Sequence, residues 1–196
     1  MSRLQDIVER IKNYQKPLIS NNGCAEVGRF HPDDEGLFES GCLHCVYDPI
    51  PMEKIELASN EIRRKIPDEL KEFYIIANGL DMFCSSLYLK GSLAIEGVQP
   101  ISILYQNIID LPTDHSGKEV FDEDHIYIGG YASDKSNLKI NIHSGVVTRE
   151  LDGNWGVVEN SWATFEDFLC KEFQRLSTSY EKTDGKISFL HPIPAE

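Results

Sequence analysis

Basic residues are scarce in this chain. Lys and Arg total 19 among 196 residues, against 32 Asp and Glu, for a formal net charge of −13. A surface with that balance repels phosphates and argues against direct binding of DNA or RNA. It also speeds encounter with a basic partner; solubility alone is the plainer reading of the same charge. Long apolar runs are missing as well: nothing approaches the ~18 residues of a membrane-spanning helix. The opening residues MSRLQDIVERIKNY carry charges throughout and show no apolar leader segment. The 5 cysteines are an odd count in a chain of this size, which favours a reduced, cytoplasmic protein over a disulfide framework. No nucleophile elbow, Walker loop, dinucleotide fingerprint or HExxH helix occurs. There are no repeats, low-complexity tracts or linkers that would split the chain.

What is present reads as one α+β domain, long enough to bury a core. Leu4, Ile7, Val8 and Ile11 recur at helical spacing and predict a helix over residues 3–14. Residues 20–50 hold NNG, HPDDEG, ESG and DPIP, which read as a long loop region with one short strand near Leu43–Tyr47. A helix is expected over 52–65. A second begins with Pro67 at its first position, where the missing N–H costs nothing. Leu70, Phe73, Tyr74 and Ala77 form its apolar stripe, and Asn78-Gly79 is read as its stop, Gly79 supplying a left-handed residue. Strands are expected at 86–90, 93–97, 125–131, 138–142 and 146–151, the last two joined by a His143-Ser144-Gly145 turn. Residues 100–111 are apolar and ambiguous, and 113–124 read as an acidic surface loop. Thr164 with Asp167 resembles a capping box before a closing helix buried through Phe165, Phe168, Leu169, Phe173 and Leu176. The tail after Thr183 reads as an extended strand or a loose arm.

Few residue groups suggest chemistry. Cys42-Leu43-His44-Cys45 has the C-x-x-C spacing of a zinc or dithiol site. Zinc needs further ligands, and Cys24 and His31 upstream match no familiar module. A redox motif of the thioredoxin kind belongs at a strand-to-helix junction, whereas Asp48-Pro49 follows here. Ordinary thiols are therefore the preferred reading, with Cys42, His44 and Cys45 kept as weak metal candidates. His115, His125 and His143 lie near Asp114, Asp122 and Asp124 but show no short ligand spacing. Cys84 and Cys170 sit among apolar residues and are expected in or near the core. Gly129-Gly130 reads as a strand end or bulge. The acidic clusters Asp33-Asp34-Glu35 and Asp122-Glu123-Asp124 are either solvated loops or a negative face offered to a basic partner.

Three stretches, taken in order, resemble the SUKH superfamily, which includes the Smi–Knr type regulators of yeast cell-wall synthesis and many bacterial immunity proteins. IPDELKEF running to Asn78-Gly79 resembles its LPxxLxxF…NG signature, with Ile66 for the usual Leu. IYIGGYASDKSNLKINIHSGVV resembles its glycine-ended strand and following hairpin, and WATFEDFL its closing Trp and helix. The resemblance covers about residues 50–178; residues 18–50 and the tail after 180 are extra. It implies an α+β fold with a central, mostly antiparallel sheet packed with helices. It implies a protein-binding module without catalytic residues or a cofactor. An immunity protein that neutralises a basic, nuclease-type toxin is the leading expectation. A regulatory adaptor linked to cell-wall or glucan synthesis is the alternative.

Overall fold

The computed structural model describes residues 2–16, 18–21, 23–29, 41–92, 108, 122–154, 156–187 and 191–195. Among them are four helices and nine strands. The strands β1 (Leu18–Asn21), β2 (Cys24–Val27), β3 (His44–Tyr47), β4 (Leu80–Met82), β5 (Leu87–Leu89), β6 (His125–Gly130), β7 (Asn137–Asn141), β8 (Val147–Glu150) and β9 (Val158–Trp162) form one sheet in sequence order. Every neighbouring pair is antiparallel. The expected α+β class with an antiparallel sheet is therefore present.

Side chains alternate across a strand, and the sheet divides accordingly. Val46, Leu80, Met82, Leu87, Leu89, Ile126, Leu138, Ile140 and Val147 belong to one apolar cluster. The same cluster takes in Leu4, Ile7, Val8 and Ile11 of α1 (Arg3–Lys12), Ile55 and Ala58 of α2 (Met52–Glu61), Leu70, Phe73 and Tyr74 of α3 (Asp68–Ile76), and Phe165, Phe168, Leu169, Phe173 and Leu176 of α4 (Phe165–Lys182). All four helices thus cover one face of the sheet. The opposite face carries polar and aromatic side chains.

Local chemistry sets the helix ends. Ser2 Oγ caps α1 through the Gln5 N–H at 3.3 Å, and Thr164 Oγ1 caps α4 through the Asp167 N–H at 3.0 Å. Asp167 does not complete the box; its carboxylate pairs with Lys171 at 2.8 Å. Helix α2 stops at Glu61, short of residue 65, because Arg63 adopts a left-handed φ of 54° and the Arg64 N–H returns to the Ser59 carbonyl. Pro67 occupies the cap position of α3, one residue outside the helix. Glu69, in the first turn of α3, accepts the Glu166 N–H at 3.2 Å, so α3 and α4 are joined at their N-terminal ends.

The Asn78-Gly79 stop has a different cause from the one expected. Helix α3 already ends at Ile76, and Ala77 is extended with φ −155°. Asn78 is fully buried, and its Oδ1 accepts both the Ser92 N–H at 2.8 Å and the Ser92 hydroxyl at 3.1 Å. Gly79 has φ +98°, and a Cβ there would lie 2.8 Å from the Leu89 carbonyl oxygen. The dipeptide is a clamp where the chain enters β4 beside β5, not a helix cap.

Other expectations also change. The 20–50 region contains, besides β3, most of a hairpin: Asn21 pairs with Cys24 and Leu18 with Val27. Gly23, just before β2, takes φ +84°. The β7–β8 hairpin is present, but its loop spans residues 142–145, with the Asn141 N–H bonded to the Val146 carbonyl. Asn141 Oδ1 accepts the His143 and Ser144 N–H groups, and Gly145 takes φ +74°. Gly129 sits at a bulge, the register shifting between Tyr127 and Gly129. The tail docks: the Ile193 N–H bonds Ser86 Oγ at 2.8 Å, and the Ala195 N–H bonds Ser133 Oγ at 3.0 Å. The strand expected at 93–97 and all of 100–111 except Ile108 lie outside the described residues. No described helix is long and apolar enough to cross a membrane.

Candidate functional site on the polar face of the sheet

The face away from the helices carries the residues with chemistry. On β6 it presents His125 and Tyr127, on β7 Lys139 and Asn141, and on β8 Thr148 and Glu150, since their neighbours Ile126, Leu138, Ile140 and Val147 lie in the core. Lys139 is 7% and Glu150 1% exposed, and their charged groups meet at 2.7 Å. Glu150 Oε1 also accepts the Gly156 N–H at 3.2 Å, while Oε2 has no hydrogen-bond partner among the described residues. A pair this buried is held by geometry, because losing either partner strands the other charge away from water.

Lys139 also reaches the Asp122 carboxylate at 3.3 Å, ahead of β6. His125 Nδ1 lies 3.0 Å from the same carboxylate, and the Asp124 N–H donates to it at 3.1 Å. Arg64 donates to the His125 carbonyl at 2.7 Å. Partial burial would raise the Asp122 pKa, but the His125 hydrogen bond and charge, the Asp124 N–H and Lys139 outweigh it and hold the carboxyl below its usual range. Asp122 is thus an anchor. Glu123 and Asp124, the next residues, are exposed. Asp124 meets His143 at 3.3 Å, with side chains 66% and 72% exposed. The structure therefore separates the expected acidic triplet into one internal tie and two acids held out on a braced turn. Asp33, Asp34 and Glu35 lie outside the described residues, as do His115 and Asp114.

Strand alternation also divides the Cys42-Leu43-His44-Cys45 motif. His44 points into the helix-covered side, with Phe83 at 4.5 Å and Tyr14 at 5.5 Å between ring centroids, both edge-on. Its Nδ1 accepts the Phe83 N–H at 3.2 Å, and burial pushes its pKa down to about 3. The imidazole is a neutral core acceptor. Cys45 points the other way and clusters with Cys24 and Tyr47, with Cys42 packed against them. Among the described residues no three His, Cys, Asp or Glu side chains form a group that could hold a metal ion. The weak candidates Cys42, His44 and Cys45 therefore do not converge on one point, because consecutive strand residues face opposite ways.

Beside these thiols lies the β4–β5 turn. Phe83, Cys84 and Ser85 take consecutive left-handed φ values of 51°, 54° and 64° without a glycine among them. Such conformations cost about 1 kcal/mol or more each and persist where the surroundings dictate them. Here His44 holds the Phe83 N–H, the Leu43 carbonyl holds the Cys84 N–H, and Ser85 Oγ bonds Asp81 at 2.7 Å. Cys84 is buried, as expected, and Cys170 on α4 is partly buried.

A shallow groove of about 500 Å³ runs along the outer side of α4 past Arg3, Lys171, Arg175 and Lys182. Arg3 pairs with Glu166 at 2.9 Å, Lys171 with Asp167 at 2.8 Å and Arg175 with Glu172 at 2.9 Å. Three of its four cations are thus paired with neighbouring acids. Sequence reasoning missed two features, the Lys139–Glu150 pair and the strained turn. Period-2 alternation around Lys139 could have pointed to the first, while DMFCSS contains no glycine or asparagine to announce three left-handed residues in a row.

Compared with known proteins, the chain matches no protein-family model. No curated protein matches it either.

Proposed function

We propose that the chain is a non-catalytic protein-binding module of the SUKH type, and that it neutralises a basic, nuclease-type toxin domain by covering the surface that must attract phosphate. One observation carries this reading: Glu123 and Asp124 stand exposed on a turn whose preceding acid is tied inward to His125 and Lys139. Acids held in place steer a cationic partner and set its register at little ordering cost. Support comes also from the net charge of −13. The elements on which the resemblance rests follow in order: α3 with its Asn-Gly step, glycine-ended β6, the β7–β8 hairpin, then Trp162 and α4. Buried apolar or aromatic anchors on the partner side would supply most of the affinity.

The test begins with the tagged chain as bait in its native cells, washed in a rising salt series and read by mass spectrometry. Capture of a basic nuclease domain whose activity disappears on binding is the expected result. Glu123→Gln with Asp124→Asn should then slow association at low salt and leave the thermal midpoint unchanged. An on-rate indifferent to the double variant would remove the acidic turn from the mechanism. Capture of an envelope-synthesis protein instead would replace toxin neutralisation with the adaptor reading.

A further inference from the structure

Three of the five cysteines gather on or beside the polar face of β2 and β3, while Cys84 lies in the main core. Cys24 and Cys45 are buried together with Tyr47, Cys42 packs against them with part of its surface open, and Cys84 lies within electrostatic reach of Cys42. The Cys45 thiol is within hydrogen-bonding reach of both Cys24 and Cys42. Such gathering is unusual for thiols that only fill space, because Cys packs equally well as a scattered small apolar residue. All five are free thiols.

We propose that Cys42 and Cys45 form a redox site that closes to an intramolecular disulfide by exchange with a low-molecular-weight disulfide, with Cys24 as the neighbouring sulfur and not as a bridge partner. The register selects the pair. Cys24 lies opposite Tyr47 and Cys45 opposite Glu26, which makes Cys24 and Cys45 diagonal neighbours. Diagonal Cβ atoms in an antiparallel pair stand roughly 7 Å apart, beyond the ~3.5–4.5 Å that a disulfide spans. Cys42 is under no such constraint: it precedes β3, and the chain bends at Leu43, which is anchored through its N–H to the Val27 carbonyl at 2.9 Å. Cys42 is also the one residue of the three that is not fully buried.

The exchange balances. The Cys42 sulfur, as thiolate, attacks one sulfur of the small disulfide RSSR, forming the Cys42–S–S–R bond and releasing RS⁻. The Cys45 sulfur then attacks Cys42, forming the Cys42–Cys45 bond and releasing the second RS⁻. The protons lost by the two protein thiols end on the two RS⁻, giving two RSH. The two cysteines are oxidised by two electrons and the small disulfide is reduced by the same two. Hydrogen bonding with Cys24 and Cys42, and then burial, push the Cys45 thiol up, and the same bond to Cys45 draws the Cys24 pKa down. Exposure makes Cys42 the entry point, and packing against it makes Cys45 the second sulfur.

The test equilibrates the folded full chain with glutathione buffers of rising disulfide content, quenches with acid, and reads intact mass and peptide maps. The expected product lacks two hydrogens, maps to Cys42–Cys45 and reverts completely with dithiothreitol. Cys42→Ser should abolish it, and Cys45→Ser should stop at one glutathione held on Cys42. Thiols that all survive, a bridge mapped to Cys24 or Cys84, or glutathione retained on wild-type Cys42 would each overturn the proposal. If Cys45→Ser fails to fold, the wild-type map and Cys42→Ser decide alone.

Discussion

The two faces of the sheet are built on opposite terms. On the helix side, Phe73 packs against Phe165 with ring centroids 5.1 Å apart, and His44 is held neutral among aromatic rings. On the other side, Lys139 and Glu150, at comparable burial, form an ion pair at 2.7 Å. Burial alone therefore does not decide which groups a face tolerates. The helix side is stabilised by area removed from water, which needs no particular partner. The polar side is stabilised only while each group has its own partner. The first tolerates repacking; the second does not.

Damage is expected to be greatest on the helix side. Phe73→Ala should cost about 3–5 kcal/mol, read from urea unfolding, because it opens a cavity at the meeting of α3 and α4. A loss of similar size, about 3 kcal/mol, is expected for Lys139→Met, which leaves Glu150 charged and unpaired. The double change Lys139→Met with Glu150→Met should recover most of that loss. Strict additivity of the two single changes would show that the pair is not coupled.

A gentler break comes with acid. His44 titrates at about 3 in the fold, against 6.5 for an ordinary histidine. Below the ordinary value the unfolded chain binds a proton that the folded chain refuses. This group therefore costs stability as pH falls from 6.5 toward 3, with a slope approaching ~1.4 kcal/mol per unit, and contributes no pH dependence above that window. Imidazole resonances in an NMR titration test it: His44 should stay neutral through the range in which an ordinary histidine has become fully charged. The smallest effect belongs to the rim. Asp124→Asn removes an exposed pair with His143 and should move stability by less than about 0.5 kcal/mol, so any change in partner association would be a direct effect of charge.

Much of the helical frame was legible without tertiary information. The stripe of α1, the sequence from Pro67 through Tyr74 and the run from Phe165 to Leu176 each follow from spacing, and Thr164 marks the start of α4. Strands β1, β2, β4 and β9 were not legible. NNG looks like a breaker in isolation, although Asn-Gly between short β-prone runs is also a hairpin signal. Leu80–Met82 is too short for any period, and β9 is an edge strand with only Trp162 buried, so it carries no alternation. At the site, the exposed Glu123-Asp124 step was visible as charge, but the inward turn of Asp122 was not.

The helices, the acidic balance and the alternation that gives the central strands two unlike faces follow from residue type and from spacing along one element. Only the tertiary structure decided which residues share a face and a neighbour. It set His44 and Cys45 on opposite sides of β3, brought Cys24 to Cys45 and Lys139 to Glu150, and turned Asn78-Gly79 from a helix stop into a clamp on Ser92. Those outcomes rest on strand register, which is fixed jointly by neighbouring strands and by the core they cover.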